Sequence, residues 1–193
     1  MEMRRATSSI NLDGVIDEPA WKEVVPSSKF INKWPIDSGW AKAQTQVRLM
    51  YDDEFIYVSA VCYQDMDDLV IQSLKRDNMS DFWNSDGFSI VLDPIGLRSN
   101  GFLFGVNAGG AQVEATLSQA GGQTNFDSNW DNKWYSAVTT FDDRWEAEMA
   151  IPFKSLRYSD SNPTWAFNLI RNDMKRNLYS TWTAVPLVFR GID

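Results

Sequence analysis

The hydrophobic positions of this chain repeat with period two over much of its length. Val47, Leu49 and Tyr51 alternate with Gln46, Arg48 and Met50, the pattern of a strand with one face turned to a core. Asp52-Asp53-Glu54 supplies a turn, and residues 55–63 are apolar at almost every position, which predicts a central strand covered on both faces. Phe88, Ile90 and Leu92 repeat the alternation, as do Phe102, Phe104 and Val106. Asn107-Ala108-Gly109-Gly110 then offers glycines for the positive φ of a hairpin, with a return strand over residues 111–117. Residues 134–140 pair with 145–151 across the turn Phe141-Asp142-Asp143-Arg144. In the second of these strands Trp145, Ala147, Met149 and Ile151 share the buried face, and Glu146 and Glu148 fall on the other, where they are expected to be solvated. Residues 165–171 and 179–184 read as closing strands.

Helix is nearly absent from this pattern. Asp17-Glu18-Pro19-Ala20-Trp21 predicts one turn, with Asp17 as N-cap and Pro19 in the first turn, and residues 153–156 predict another after Pro152. Met79-Ser80-Asp81-Phe82-Trp83-Asn84-Ser85-Asp86 reads as a polar loop in which no core period demands Trp83. Roughly ten short strands separated by Gly, Asp and Asn turns predict an all-β, two-sheet sandwich of the immunoglobulin-like or jelly-roll type, as one domain over residues 1–193.

Composition narrows the chemistry. The 193 residues carry a net charge of −8, which opposes the clustered cations that nucleic acid requires. With no His and one Cys, Cys62, which lies in an apolar run as a core residue, His-based triads, Cys-His dyads and Cys/His zinc sites are unavailable. No run approaches the roughly 18 apolar residues of a spanning helix, and no apolar leader opens the chain. Nine Trp, eleven Phe and six Tyr are more rings than one core needs, which places some at the surface. Trp21, Trp145 and Trp165 are in step with core residues; Trp34, Trp40 and Trp130 lie in Gly, Pro, Asn and Asp surroundings, where they either extend a binding surface or cover loops.

Several stretches together carry a resemblance. Leu12-Asp13-Gly14-Val15-Ile16-Asp17-Glu18-Pro19-Ala20-Trp21, Val47 through Val58, Trp83-Asn84-Ser85-Asp86-Gly87-Phe88 with the strand ending at Asp93, Trp145 through Phe153, and the closing region from Asn168 to Trp182 resemble the family 9 carbohydrate-binding module. Asn100-Gly101-Phe102, Phe104-Gly105-Val106-Asn107 and Trp182-Thr183-Ala184-Val185-Pro186 are similar to a bacterial branch of that superfamily. There the domain opens longer envelope proteins, often ahead of an outer-membrane β-barrel. The resemblance therefore implies a piece of a longer, extracytoplasmic protein (periplasmic, cell-surface or secreted), with a barrel in the parent and none in this chain.

The resemblance also implies a role and a site. Family 9 modules hold the end of a sugar chain between two tryptophans, and Trp83 and Trp182 match those positions. Two indole planes facing across about 7–8 Å leave room for one stacked sugar, whose apolar C–H faces suit a ring and whose hydroxyls need polar partners. Asn84, Asp86, Arg76 and Asn107 are the expected hydrogen-bonding partners. The acidic residue that the family carries six positions beyond the first Trp is Ser89 here; its Arg before a Val-Asn pair is Gly105, and the residue three before the second Trp is Tyr179.

Structural calcium is implied too, with Asp65, Asp67 and Asp68 offering hard oxygens at a turn, although capping and turn formation account for such residues as well. No cofactor is required by this reading. Two other readings stand beside sugar binding: an interaction or scaffolding domain of an outer-membrane-associated protein that has lost the cleft, and a glycoside hydrolase using carboxylates such as Asp81, Asp86 and Asp93. Asp is abundant and favoured at turns, which weighs against enzymatic use of those residues.

Overall fold

The structure, a computed structural model, describes residues 3–120, 123–158 and 164–187. Two sheets face each other in a β-sandwich. One has five strands in the order β1 (Arg4–Arg5), β3 (Thr45–Tyr51), β4 (Phe55–Tyr63), β10 (Arg144–Pro152) and β9 (Tyr135–Thr140). The other has seven: β2 (Ile31–Trp34), β12 (Leu178–Thr181), β11 (Ala166–Asp173), β5 (Gly87–Asp93), β6 (Asn100–Asn107), β7 (Gln112–Ala120) and β8 (Gln123–Asp127). All pairings are antiparallel except β1 on β3.

The period-two positions make the core between the sheets. Val47, Leu49, Ile56, Val58, Trp145, Ala147, Met149 and Ile151 from the five-stranded sheet meet Phe88, Ile90, Leu92, Phe104, Val106 and Leu169 from the seven-stranded one. Cys62 is fully buried here, and burial pushes its thiol up to about 11. Arg171 projects into the same space. Its guanidinium lies 4.8 Å from the Trp145 ring centre, donates to the carbonyls of Asn172 and Gly87, and reaches Gln64, which in turn donates to Asp86. A buried cation is tolerated only with such compensation.

Both outer faces are partly covered. The N-terminal segment, with the single-turn helix α1 (Pro19–Lys22), packs Ile10, Leu12, Ile16, Ala20, Trp21 and Val24 onto Met50, Tyr57 and Ala150 of the five-stranded sheet. The N-cap of α1 is Glu18 rather than Asp17, and no side chain caps it. This cover overturns the expectation for Glu146 and Glu148: both are buried, because the segment lies over them. Glu148 accepts from the Trp21 indole N–H at 2.9 Å and from the backbone N–H of Gly14 and Asp13, and Glu146 accepts from Ile16 N–H and Arg144. On the seven-stranded sheet the cover is a second short helix, α2 (Met79–Trp83), in the segment expected to be a loop.

Candidate functional site

The outer face of the seven-stranded sheet is built around α2. Asn78 caps the helix, its side chain accepting from Asp81 N–H and donating to the Asp81 carboxylate. At the other end Asn172 donates to the Phe82 carbonyl, the Tyr179 hydroxyl to that of Trp83 at 2.7 Å, and Asn84 to that of Ser80. The terminal carbonyls of a helix lack partners within it, and the bonds from Asn172 and Tyr179 pin α2 to β11 and β12. Met79 and Phe82, three apart, face the sheet and pack on Val91, Leu103, Val113, Ala115, Leu117 and Ile170.

Phe82 fills the space where the resemblance calls for a polar pair. A Cβ placed on Gly105 would stand 2.6 Å from the ring, and one on Gly87 3.0 Å from it, so the ring approaches as it does only over bare backbone. Ser89 is the cross-strand partner of Gly105, fully buried, with its hydroxyl unpartnered. The Ser and Gly found at these positions are thus the small residues that a ring above them demands.

Trp83 follows Phe82 on α2 and stays half-buried. Its ring meets three others edge to face: Phe82 at 5.1 Å, Tyr179 at 6.0 Å and Phe126 of β8 at 6.1 Å. Trp34 of β2 is the ladder partner of Tyr179, so the two side chains share a face of the sheet. Trp34 is 50% exposed and Phe126 37% exposed. Trp34, Tyr179, Trp83 and Phe126 therefore form an aromatic strip running across the outer face from one sheet edge to the other. No hydrophobic period marks it, since it assembles residues from β2, β12, α2 and β8.

Trp182 lies on the opposite side of the same sheet. Its ring stacks in parallel on Phe167 at 5.1 Å and 10°, packs against the inter-sheet core, and donates its N–H to Ser27 Oγ at 2.7 Å. The expected slot between Trp83 and Trp182 is absent. Residues three apart in an extended strand point to opposite faces, so Tyr179 beneath Trp83 sends Trp182 inward. That parity was readable once Tyr179 was placed.

The polar residues expected at the site have structural partners. Asp86 is fully buried, and its carboxylate accepts from Gln64, from Val70 N–H and from Met174 N–H, tying two loops to the strand. Asn107 is buried too; it accepts from Gly109 and Ala111 N–H and donates to the Ser73 carbonyl, forming the β6–β7 turn. Arg76 is bound to Glu114, Gln112 and the Asn132 carbonyl, away from α2. Of the four, Asn84 alone is exposed beside Trp83. Asp81 belongs to the α2 cap, and Asp93 accepts from the N–H groups of Ile95, Gly96 and Arg98, so each carboxylate considered for glycoside hydrolysis holds local backbone or helix geometry.

Asp65 and Asp68, two of the three residues expected to offer oxygens to calcium, have partners within the protein. Asp65 caps a turn by accepting from Asp67 N–H, and Asp68 pairs with Lys175 and Arg176 at 3.4 and 3.5 Å. Among the described residues the carboxylates that converge within 4.8 Å of one another are Asp77, Glu114 and Asp131, and the Arg76 guanidinium stands among them.

Beyond Trp83 on the same face runs a groove of about 430 Å³, with Val91, Gly101, Leu117, Ala166 and Asn168 in its floor and the loop 93–100, Gln119, Thr124 and Thr183 around it. The model of the family described as carbohydrate family 9 binding domain-like matches residues 12–187. The chain belongs to this family. No curated protein matches the sequence. The family 9 domain is similar in fold to a family 9 carbohydrate-binding module from Caldicellulosiruptor kristjanssonii, solved with cellotriose (TM-score 0.65, 17% identity, covering 93% of this chain and 83% of that one) and with glucose (TM-score 0.64, 18% identity, 93% and 84%). A Bacteroides uniformis structure superposes on it at TM-score 0.70 with 11% identity, covering 100% of this chain and 94% of that one. At such identities these likenesses concern the fold. Among the described residues no helix is long and apolar enough to cross a membrane.

Proposed function

We propose that this family 9 domain is a non-catalytic carbohydrate-binding module of an extracytoplasmic protein, taking sugar on the outer face of the seven-stranded sheet with Trp83 as its stacking platform. The aromatic strip Trp34–Tyr179–Trp83–Phe126 carries the reading. It sets partly exposed rings in a row over an apolar face, beside a groove whose walls bear amides and hydroxyls. A pyranose presents the matching surface: C–H faces for the rings and equatorial hydroxyls for the polar walls. Family membership and the carbohydrate bound by the Caldicellulosiruptor modules support the same ligand class.

A scaffolding role is the second reading, and the closure of the Ser89–Gly105 position by Phe82 is the observation in its favour. Calorimetric titration with soluble glycans separates the two. Binding by the unaltered domain, weakened about tenfold or more in Trp83→Ala, is expected for a sugar platform; a tenfold loss is about 1.4 kcal/mol. Trp182→Phe should leave the affinity unchanged, since that ring faces the core. A domain that binds no glycan in a broad panel, yet captures a defined envelope protein, would establish the second reading instead.

A further inference from the structure

We infer that the groove beside Trp83 is a second, contiguous subsite that takes the continuation of a neutral glycan chain, so that the ligand is an extended oligosaccharide lying across the strands rather than a single residue at its end. This rests on the reading of Trp83 as a sugar platform. Three observations lead to it.

The first is continuity. Val91 and Leu117 belong both to the apolar cluster under Trp83 and to the groove floor, and Phe126, against Trp83, is the ladder partner of Leu117. A chain stacked on Trp83 reaches the groove without leaving the face.

The second is space. Gly101 puts no side chain into the groove on β6, and the lining comes from β11, β5, β6, β7 and β8, five neighbouring strands. Its volume of about 430 Å³ lies inside the range of about 300–1,000 Å³ in which small ligands are held.

The third is chemistry. Asn100 and Gln119 are exposed at the rim, neutral, and able to donate and accept at once, as sugar hydroxyls require. The wall carboxylate, Asp93, is turned to the backbone N–H groups of its own loop. Among the described residues Arg98 is the one cation in the lining, against a net charge of −8 over the whole chain, a field that repels polyanionic glycans.

The test is titration of the whole domain with neutral gluco-, manno- and xylo-oligosaccharides, from monosaccharide to hexasaccharide, alongside oligogalacturonides. Affinity for one neutral series should rise about tenfold or more between disaccharide and hexasaccharide, and the Asn100→Ala/Gln119→Ala double variant should erase that rise while leaving disaccharide binding intact. Length-independent binding that the double variant does not alter would overturn the subsite and leave the Trp83 platform standing. Tighter binding of the acidic series would overturn the neutral class. Absence of binding to every sugar would instead remove the platform on which the subsite depends.

Discussion

Phe82→Ala is expected to lower the unfolding free energy by roughly 3–5 kcal/mol, the range for removing a buried aromatic ring whose surroundings cannot collapse. The ring is 2% exposed and rests on two glycines, which offer no side chain of their own to replace it. The space left behind would expose the unpartnered Ser89 hydroxyl and the bare backbone at Gly105. Urea unfolding followed by circular dichroism measures the loss; a value under about 1 kcal/mol would show that α2 is held by its terminal hydrogen bonds rather than by this ring. The converse substitution checks the geometry from below. Gly105→Ala drives a methyl group into the ring, which costs about 1–3 kcal/mol as overpacking. Combined with Phe82→Ala it should cost less than the sum of the two, because its main obstacle is gone; the Val113 side chain, at 3.1 Å, sets the remainder.

The second large effect belongs to Glu148. In Glu148→Ala the Trp21 indole N–H and the Gly14 backbone N–H lose their acceptor together, while Asp13 N–H keeps the Asn11 carbonyl, and the N-terminal cover loses its anchor on β10. Buried donors left unsatisfied cost about 1–3 kcal/mol each, and the segment can turn part of this group to water, so a loss on the order of 3 kcal/mol is expected. The same site makes stability depend on pH. Burial, aided by the nearby charge of Glu18, pushes the Glu148 carboxyl up to about 7 from an ordinary value of 4.5, while its hydrogen-bond donors pull the other way. The folded protein therefore keeps a proton that the unfolded chain releases across that window. The Glu148 contribution to stability is full below about pH 4.5, falls as pH rises, and is lost above about pH 7. Thermal unfolding of the natural domain against Glu148→Gln should show a stability difference that shifts against the natural domain between those two values and stays level above them. A difference independent of pH would mean that the carboxyl titrates as in water.

Within the lattice of strands, most of the architecture was legible in local pattern. Every alternation read from the chain, from Val47 to Ile151, became a strand, with its apolar positions other than Tyr51 between the sheets, because the two-residue repeat of a strand is a property of the backbone itself. The hairpin turns at Asp52 and Asn107 were legible for the same reason: each side chain accepts from N–H groups only a few residues ahead. The last strand ends at Thr181, short of the expected Ala184, and β2 and β8 went unread, since short edge strands carry too few positions to show a period.

The outer faces were a different matter. Glu146 and Glu148 alternate like solvated residues, and nothing near them in sequence announces that residues 13–21 return to cover them. Trp83 stood out correctly as a ring without a core period, but its neighbours Tyr179, Phe126 and Trp34 come from distant strands, and the helix beneath it is pinned by bonds from β11 and β12. The pairing of Trp83 with Trp182 failed on the same ground: which side of a sheet a residue faces is set by its strand's parity, yet which residues share that side depends on strand order. Where the chain extends, where it turns and which stripe is apolar were set locally, for these follow from neighbours one to four residues apart. The tertiary structure alone decided what covers each face and which rings meet there, because burial and contact are properties of elements brought together across the fold.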